Sequence, residues 1–371
     1  MLLLAGPACA CLVFCVSDHG HVFGGNNEDY LEPDTRMWFV PAEAGEHGRV
    51  YFGYANGFPQ GGLNDAGLFF DGLALDREPI VPRAGEKEPA HTGNIADLAM
   101  AKCATVEQVI ALFETHDRSM LEYAQLFFGD RSGDGAILEG NAVIRKEGRA
   151  LIATNFRQSK TPPEQSSCER HRIARRILSE NEEISVDVCR RVLAATRQEG
   201  EVSTLYSNVY DLERGLVYLY HFHDYEEVVV IDLATELAKG PRVVELATLF
   251  QPTYAFECFR RHAEEGVLAR QEKERDKSVD PRTFVDFTGR FRTDEGVAAG
   301  LEFEVRVEGK ALMILFPGQG KFELIPRGGA SFACIAASTR AAFDFVRGDD
   351  GVVSGVKLKQ GELEVLVPKV E

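Results

Sequence analysis

The sequence lacks several things that would have fixed its function early. Its eight cysteines contain no Cys-x-x-Cys pair, so a tetrahedral zinc site built from paired thiolates is not expected. No apolar run approaches the roughly 20 residues that span a bilayer. No glycine-rich phosphate loop follows a strand and opens a helix, so no nucleotide cofactor is implied. Positive charge is short, with 41 Lys and Arg against 58 Asp and Glu and a net charge of -17. That balance argues against a nucleic-acid partner. Tryptophan occurs once, as Trp38, and reads as core. Disulfide staples are not needed in 371 residues, because a chain this long buries a sizeable core.

What is present concentrates at the start. Cys9, Cys11 and Cys15 fall within seven positions of "PACACLVFCVSDHGHVFGGNNEDY". Before them, "MLLLAGPACA" has a short apolar patch, and Ala8 and Ala10 have the small-x-small spacing that signal peptidase reads. The expectation is cleavage after Ala10, which places the protein outside the cytoplasm, secreted or periplasmic. The patch is short and no basic residues precede it, so a tail or a cut by another route stays open. Cleavage would make Cys11 the first residue. Its α-amine, with a reference pKa near 8, would then be a base beside its own thiol. Cys15, four positions on, points to the same sheet face and is the rival nucleophile. Cys103 and Cys189 lie in helical-looking sequence and read as inert buried thiols.

From Cys11 the chain resembles the N-terminal-nucleophile cysteine amidases of the linear amide C–N hydrolase type. These include choloylglycine hydrolase, penicillin V acylase, carcinine hydrolase and isopenicillin-N N-acyltransferase-like proteins. Cys11, Leu12, Val13 and Phe14 match the family's start, Asp18 to Gly20 its turn, and Gly25 to Asp29 its Gly-x-Asn-x-Asp segment. "QGGLNDAGLFFDG", "GRALIATNF" and "STLYSNVYDLERGLVYLYHF" follow in the family's order. The choloylglycine-hydrolase branch has arginine where Asn26 stands and asparagine where Ala74 falls, so the chain is nearer the acyltransferase-like branch.

The resemblance implies an α+β fold, a four-layer αββα sandwich, and a thiol nucleophile at Cys11. Asp29 would hold the α-amine, and Asn155 would donate to the oxyanion. Asn26, Asn27, Asn64 and Asn208 are further donors or pocket residues, and Arg36 a candidate for a substrate carboxylate. Each also has a plain reading: Asp29 and Asn155 as turn residues, Gly-Gly-Asn-Asn as a bulge or turn, Arg36 as a surface strand residue. His221 and His223 could face a metal from one strand face, but no third ligand stands near, and no metal or other cofactor is expected. The partner is a small-molecule amide, with no nucleic acid and no membrane, and homo-oligomerisation stays open. An N-acyltransferase, or a non-catalytic binding protein that kept the fold, is the alternative.

The organisation expected is residues 1–10 as a removed segment, 11–250 as the sandwich, 251–281 as a helical connector and 282–371 as a small β-meander barrel or sandwich. Helices are expected around 94–116, split near Thr105 with Thr105 as N-cap, and at "CERHRIARRILSE" and "SVDVCRRVLAAT". The connector helix is expected to break near Gly266. Seven alternating runs, from "TGRFRT" to "ELEVLVPK", supply the terminal β-domain.

Overall fold

A computed structural model describes residues 11–81, 85, 87, 95–294, 300–317, 320–336, 340–361 and 363–370. The expected removed segment, residues 1–10 with Cys9, lies outside them. The described residues divide into two compact units: 11–54 with Phe58–Phe256, and those from Glu257 on with Ala55–Gly57.

The first unit opens with a hairpin of β1 (Leu12–Asp18) and β2 (His21–Tyr30). His19 and Gly20 both take positive φ, 50° and 83°, the pairing of a tight two-residue turn that matches strand twist. β10 (Ala150–Thr154) flanks β1. β11 (Ser203–Asp211), β12 (Leu216–His221) and β13 (Asp224–Asp232) extend the sheet beyond β2. The six strands run antiparallel in the order β10-β1-β2-β11-β12-β13.

A second antiparallel sheet is built from β3 (Thr35–Val40), β4 (Arg49–Tyr54), β5 (Pro59–Asn64), β6 (Phe69–Ala74), β7 (Ala124–Gly129), β8 (Gly135–Glu139), β9 (Ala142–Arg145) and β14 (Arg242–Glu245). Their order is β14-β3-β4-β5-β6-β7-β8-β9.

Each sheet carries a helix pair on one face. α1 (Ile95–Lys102) and α2 (Val106–Phe113) bury Ala99, Val106, Val109 and Phe113 against Tyr51, Phe70 and Phe128 of the second sheet. Thr105 caps α2, accepting from the Gln108 N–H at 3.3 Å, while the Gln108 side chain accepts from the Ala104 N–H at 2.7 Å. α3 (Glu169–Glu180) and α4 (Val186–Thr196) bury Ala174, Leu178, Val188 and Val192 against Leu12, Phe14, Val16 and Ile152 of the first sheet. The other faces of the two sheets meet, with ring centroids 6.1 Å apart for Phe52 and Tyr206 and 5.3 Å for Phe69 and Tyr210. The layers are therefore helix pair, sheet, sheet, helix pair.

Gly-Gly-Asn-Asn is neither bulge nor turn but the middle of β2. A Cβ at Gly24 would lie 2.7 Å from the Phe69 ring, and one at Gly25 2.5 Å from the Phe14 ring. One glycine admits an aromatic from the facing sheet, the next an aromatic on the helix side.

α5 (Leu233–Leu237) precedes β14, and α6 (Tyr254–Glu274) runs 21 residues without the break expected at Gly266. The second unit then winds β15 (Gly289–Thr293), β16 (Leu301–Glu308), β17 (Ala311–Phe316), β18 (Gly320–Gly328), β19 (Ser331–Ile335), β20 (Arg340–Arg347), β21 (Val353–Gln360) and β22 (Leu363–Pro368) into an antiparallel meander. A bridge from Phe291 to Lys369, with the Val370 N–H donating to the Arg290 carbonyl at 2.8 Å, nearly closes it into a barrel. Its core is aromatic, with Phe291, Phe303, Phe332, Phe343 and Phe345 all buried. The eighth strand, β19, was not anticipated. "SFACI" is a short apolar run without alternation, buried at its last four positions.

Candidate active site

Along β1, Leu12, Phe14 and Val16 turn toward α3 and α4. Cys11, Val13 and Cys15 therefore turn into the space between the sheets. β1 pairs Leu12 with Thr154 on one side and Asn27 on the other. Continued by one residue, that register sets Cys11 level with Asn155 and with Glu28. Cys11 is 2 % exposed. Three of the expected features, Cys11, the start of the Asn155 loop and the Glu28–Asp29 end of β2, thus share one end of the first sheet.

Cys15 occupies the same face but lies deeper. It is fully buried, and a Cβ at Gly129 of the second sheet would lie 3.1 Å from its sulfur. Burial pushes its thiol up to about 12, which leaves almost no thiolate at neutral pH. Cys15 thus sits in the packed core between the sheets.

Asp29 is fully buried on the α3 side of β2. Its carboxylate accepts from Arg170 Nη1 at 2.8 Å, from Gln198 Nε2 at 3.0 Å and from the Thr204 hydroxyl. Burial raises its pKa to about 7, against the pull of Arg170, Thr204 and Gln198. Arg170 also reaches Asn155, with Nη2 3.4 Å from Oδ1. Asn155 Nδ2 donates one hydrogen to the Ala74 carbonyl at 2.9 Å, so an oxyanion would have to take the other.

Arg170, Gln198 and Thr204 were missed in the sequence. Thr204 falls in "STLYSNVYDLERGLVYLYHF", where its residue type alone points to no role. Arg170 was visible only as one basic residue among several on an amphipathic helix.

Glu28 faces the opposite side of β2 from Asp29, into the intersheet space. Tyr54 Oη donates to its Oε1 at 2.7 Å, and burial raises its pKa to about 8 despite that bond. Asn26 and Asn208 are paired across β2 and β11 on the same face, with Asn208 Nδ2 donating to Asn26 Oδ1 at 3.2 Å. Both therefore line the space that Cys11 enters.

The remaining candidates lie elsewhere. Asn27 Nδ2 donates to the Leu193 carbonyl at 3.0 Å and the Thr196 hydroxyl at 3.2 Å, tying β2 to α4. Asn64 Nδ2 donates to the Met100 and Cys103 carbonyls at 2.9 and 2.8 Å, and its Oδ1 accepts from the Leu68 N–H at 2.9 Å. It clamps a turn to the end of α1. Arg36 is held by Asp34 through two bonds of 3.1 and 3.0 Å. His221 ends β12 and stacks on Phe250, whereas His223 stands in the turn beyond with φ of 66°. The two rings therefore do not share a strand face. Among the described residues no three or more His, Cys, Asp or Glu side chains gather as a metal site. No described helix is long and apolar enough to cross a membrane.

No family model matches the chain, and no curated protein matches it. Among solved structures it is similar to penicillin V acylase from Agrobacterium tumefaciens, at 17% identity and a TM-score of 0.46, over 63% of this chain and 90% of that one. It is also similar to two variants of conjugated bile acid hydrolase from Clostridium perfringens, each at 14% identity and a TM-score of 0.48, over 66% of this chain and 97% of the other.

Proposed function

We propose that the chain is a cysteine amidohydrolase of the N-terminal-nucleophile type, matured by cleavage after Ala10 and exported. The observation that carries this reading is the position of Cys11. It stands at the end of a central strand with its side chain between the sheets, level with Asn155 on one neighbour and next to the Asp29 end of the other. In the matured protein the Cys11 α-amine takes the thiol proton, and the sulfur attacks the amide carbonyl carbon. The oxyanion is met by the second Nδ2 hydrogen of Asn155 and a backbone N–H. The carbon–nitrogen bond then breaks. The departing nitrogen receives the proton from the α-ammonium, leaving an acyl-thioester. Water attacks the thioester carbonyl and gives its proton to the amine. The carbon–sulfur bond breaks, the acid leaves, and the thiol is restored.

Asp29 orients the amine. A carboxylate near an ammonium stabilises the charged form, and the Arg170 bond restrains that effect by sharing the negative charge.

The test is N-terminal sequencing of active protein together with mass spectrometry after reaction with a slow acylating amide. A mature start at Cys11 and an acyl mass on Cys11, both absent from Cys11→Ala, are expected. An acyl group on another residue, or active protein still carrying Ala10 in peptide linkage, would overturn the assignment.

A further inference from the structure

The space between the sheets holds an unusual concentration of buried polar atoms without hydrogen-bond partners. They are Asn26 Nδ2, Glu28 Oε2, both Asp71 carboxyl oxygens, Gln125 Oε1, Tyr206 Oη and Asn208 Oδ1. Every one of these residues is at most 2 % exposed. Folded proteins satisfy nearly all such groups, so a cluster of this size marks a place where something else supplies the partners.

The cluster adjoins the Cys11 end of the sheet. Gln125 of β7 donates to the Thr154 carbonyl, one residue along β10 from the position level with Cys11. The Tyr206 phenol lies within electrostatic reach of Glu28, Asp71, Tyr210 and Cys11 together. Asp71 stands on β6 opposite Gly61, where a Cβ would come within 2.7 Å of its Oδ2. The glycine leaves the room that the carboxyl occupies.

The unmatched atoms are chemically one-sided. With both acids ionised, five are acceptors, from Glu28, Asp71, Gln125 and Asn208, while only Asn26 Nδ2 is purely a donor. Exchanging the oxygen and nitrogen of the two asparagines leaves that balance unchanged. The groups acting on the two acids are not cationic. Asp71 is raised by burial and then by Glu28 and Asp29. Glu28 is raised by burial and Asp29, against the Tyr54 bond. The Arg170 charge is spent on Asp29 on the other face of β2. The complement of two neighbouring buried carboxyls among further acceptors is a group with several N–H donors and a positive charge.

We propose that Glu28 and Asp71 form a recognition site for an ammonium group on the amide substrate of Cys11. The inference rests on the proposed cysteine amidase reading and adds to it a substrate class, amides that carry a primary amine. An ammonium seated there donates to Glu28 Oε2 and the Asp71 carboxylate. It takes the place of the protons that burial otherwise holds on the pair, and it fixes the distance from the charge to the scissile carbonyl.

The experiment compares three amides of equal size: N-propylbutanamide, β-alanyl propylamide and N-(2-aminoethyl)butanamide. The last two replace one terminal methyl of the first by an ammonium, on the acyl or the amine side. Matured protein is expected to turn over one of the cationic amides with kcat/KM at least about 30-fold above the neutral one. Glu28→Gln and Asp71→Asn, each isosteric, should each cut that ratio by roughly 30-fold or more, the scale for truncating one partner of a buried charged pair. A second measurement needs no turnover. Propylammonium should slow alkylation of Cys11 by iodoacetamide where 1-propanol does not, and either substitution should abolish the protection. Alkylation of Cys11 that propylammonium does not slow, or a neutral amide turned over as well as both cationic ones, would overturn the ammonium site while leaving the nucleophile in place. A Cys11 that neither alkylates nor acylates in matured protein would instead overturn both.

Discussion

Glu28 and Asp29 are neighbours in sequence with opposite surroundings. Glu28 looks between the sheets, whereas Asp29 looks toward α3 and an arginine. Both carboxyls are raised by burial, Glu28 to about 8 and Asp29 to about 7. An acid whose pKa is higher folded than unfolded holds its proton more tightly in the fold. Its contribution is present in full below its unfolded pKa and is lost as pH rises through the folded value. For Glu28 that window runs from 4.5 to about 8. Urea unfolding should therefore show stability falling between about pH 5 and pH 8, by up to a few kcal/mol from this residue. Glu28→Gln, which cannot ionise, should shrink the difference between those two pH values; an undiminished difference would show that Glu28 is not a source of it. Arg170 acts in the opposite sense on Asp29, holding it down. Arg170→Met should therefore raise Asp29 further, shift the acid limb of kcat/KM to higher pH and cost roughly 1–3 kcal/mol of stability. An unmoved limb would exclude Asp29 from the rate-determining ionisation. Cys11 and Asp29 could be named as candidates from one short run of residue types, and Asn155 from the Thr-Asn end of a separate strand, "GRALIATNF". Asp71 and Arg170 were not, because their significance lies in strand and helix neighbours that one-dimensional spacing does not contain.

At the scale of elements, local chemistry read well where backbone demands are strict. The positive φ values at His19 and Gly20 and the cap at Thr105 were visible as residue types in the right order. Glycine misled twice, since its meaning depends on what stands opposite. Gly24 and Gly25 signal ring packing on both faces of β2, not a turn. Gly266 signals nothing structural. It lies mid-helix in α6, and an added Cβ there would meet no atom within 4 Å. Alanine should therefore fit, and it loses less backbone freedom on folding. Gly266→Ala is expected to stabilise the protein by about 0.5–1 kcal/mol, read as a higher denaturation midpoint with an unchanged slope. A lower midpoint would mean that the helix is distorted at that residue.

At the scale of the whole molecule, alternation and glycine turns announced a terminal meander, but its count came up one strand short. β19 has no polar face to alternate with, because Phe332, Ala333, Cys334 and Ile335 are all buried. The barrel core is drawn from its own unit, with Phe284 and Val367 at the ends of its range. Phe291 lies at its centre, fully buried, stacked on Phe303 at 5.3 Å and edge-on to Phe345 at 5.8 Å. It also stands at the closing bridge to Lys369. Removing that ring leaves a cavity and loosens the seam, so Phe291→Ala should cost the barrel about 3–5 kcal/mol. Every residue assigned to the reaction or to ammonium binding belongs to the other unit. Hydrogen exchange on Phe291→Ala should therefore lose protection in strands β15 to β22 while β1, β2 and β11 keep theirs, and the acylation of Cys11 should proceed at its original rate. Loss of acylation with β1 and β2 still protected would show that the barrel contributes to the reaction, and the assignment of the whole site to the sandwich would then fail.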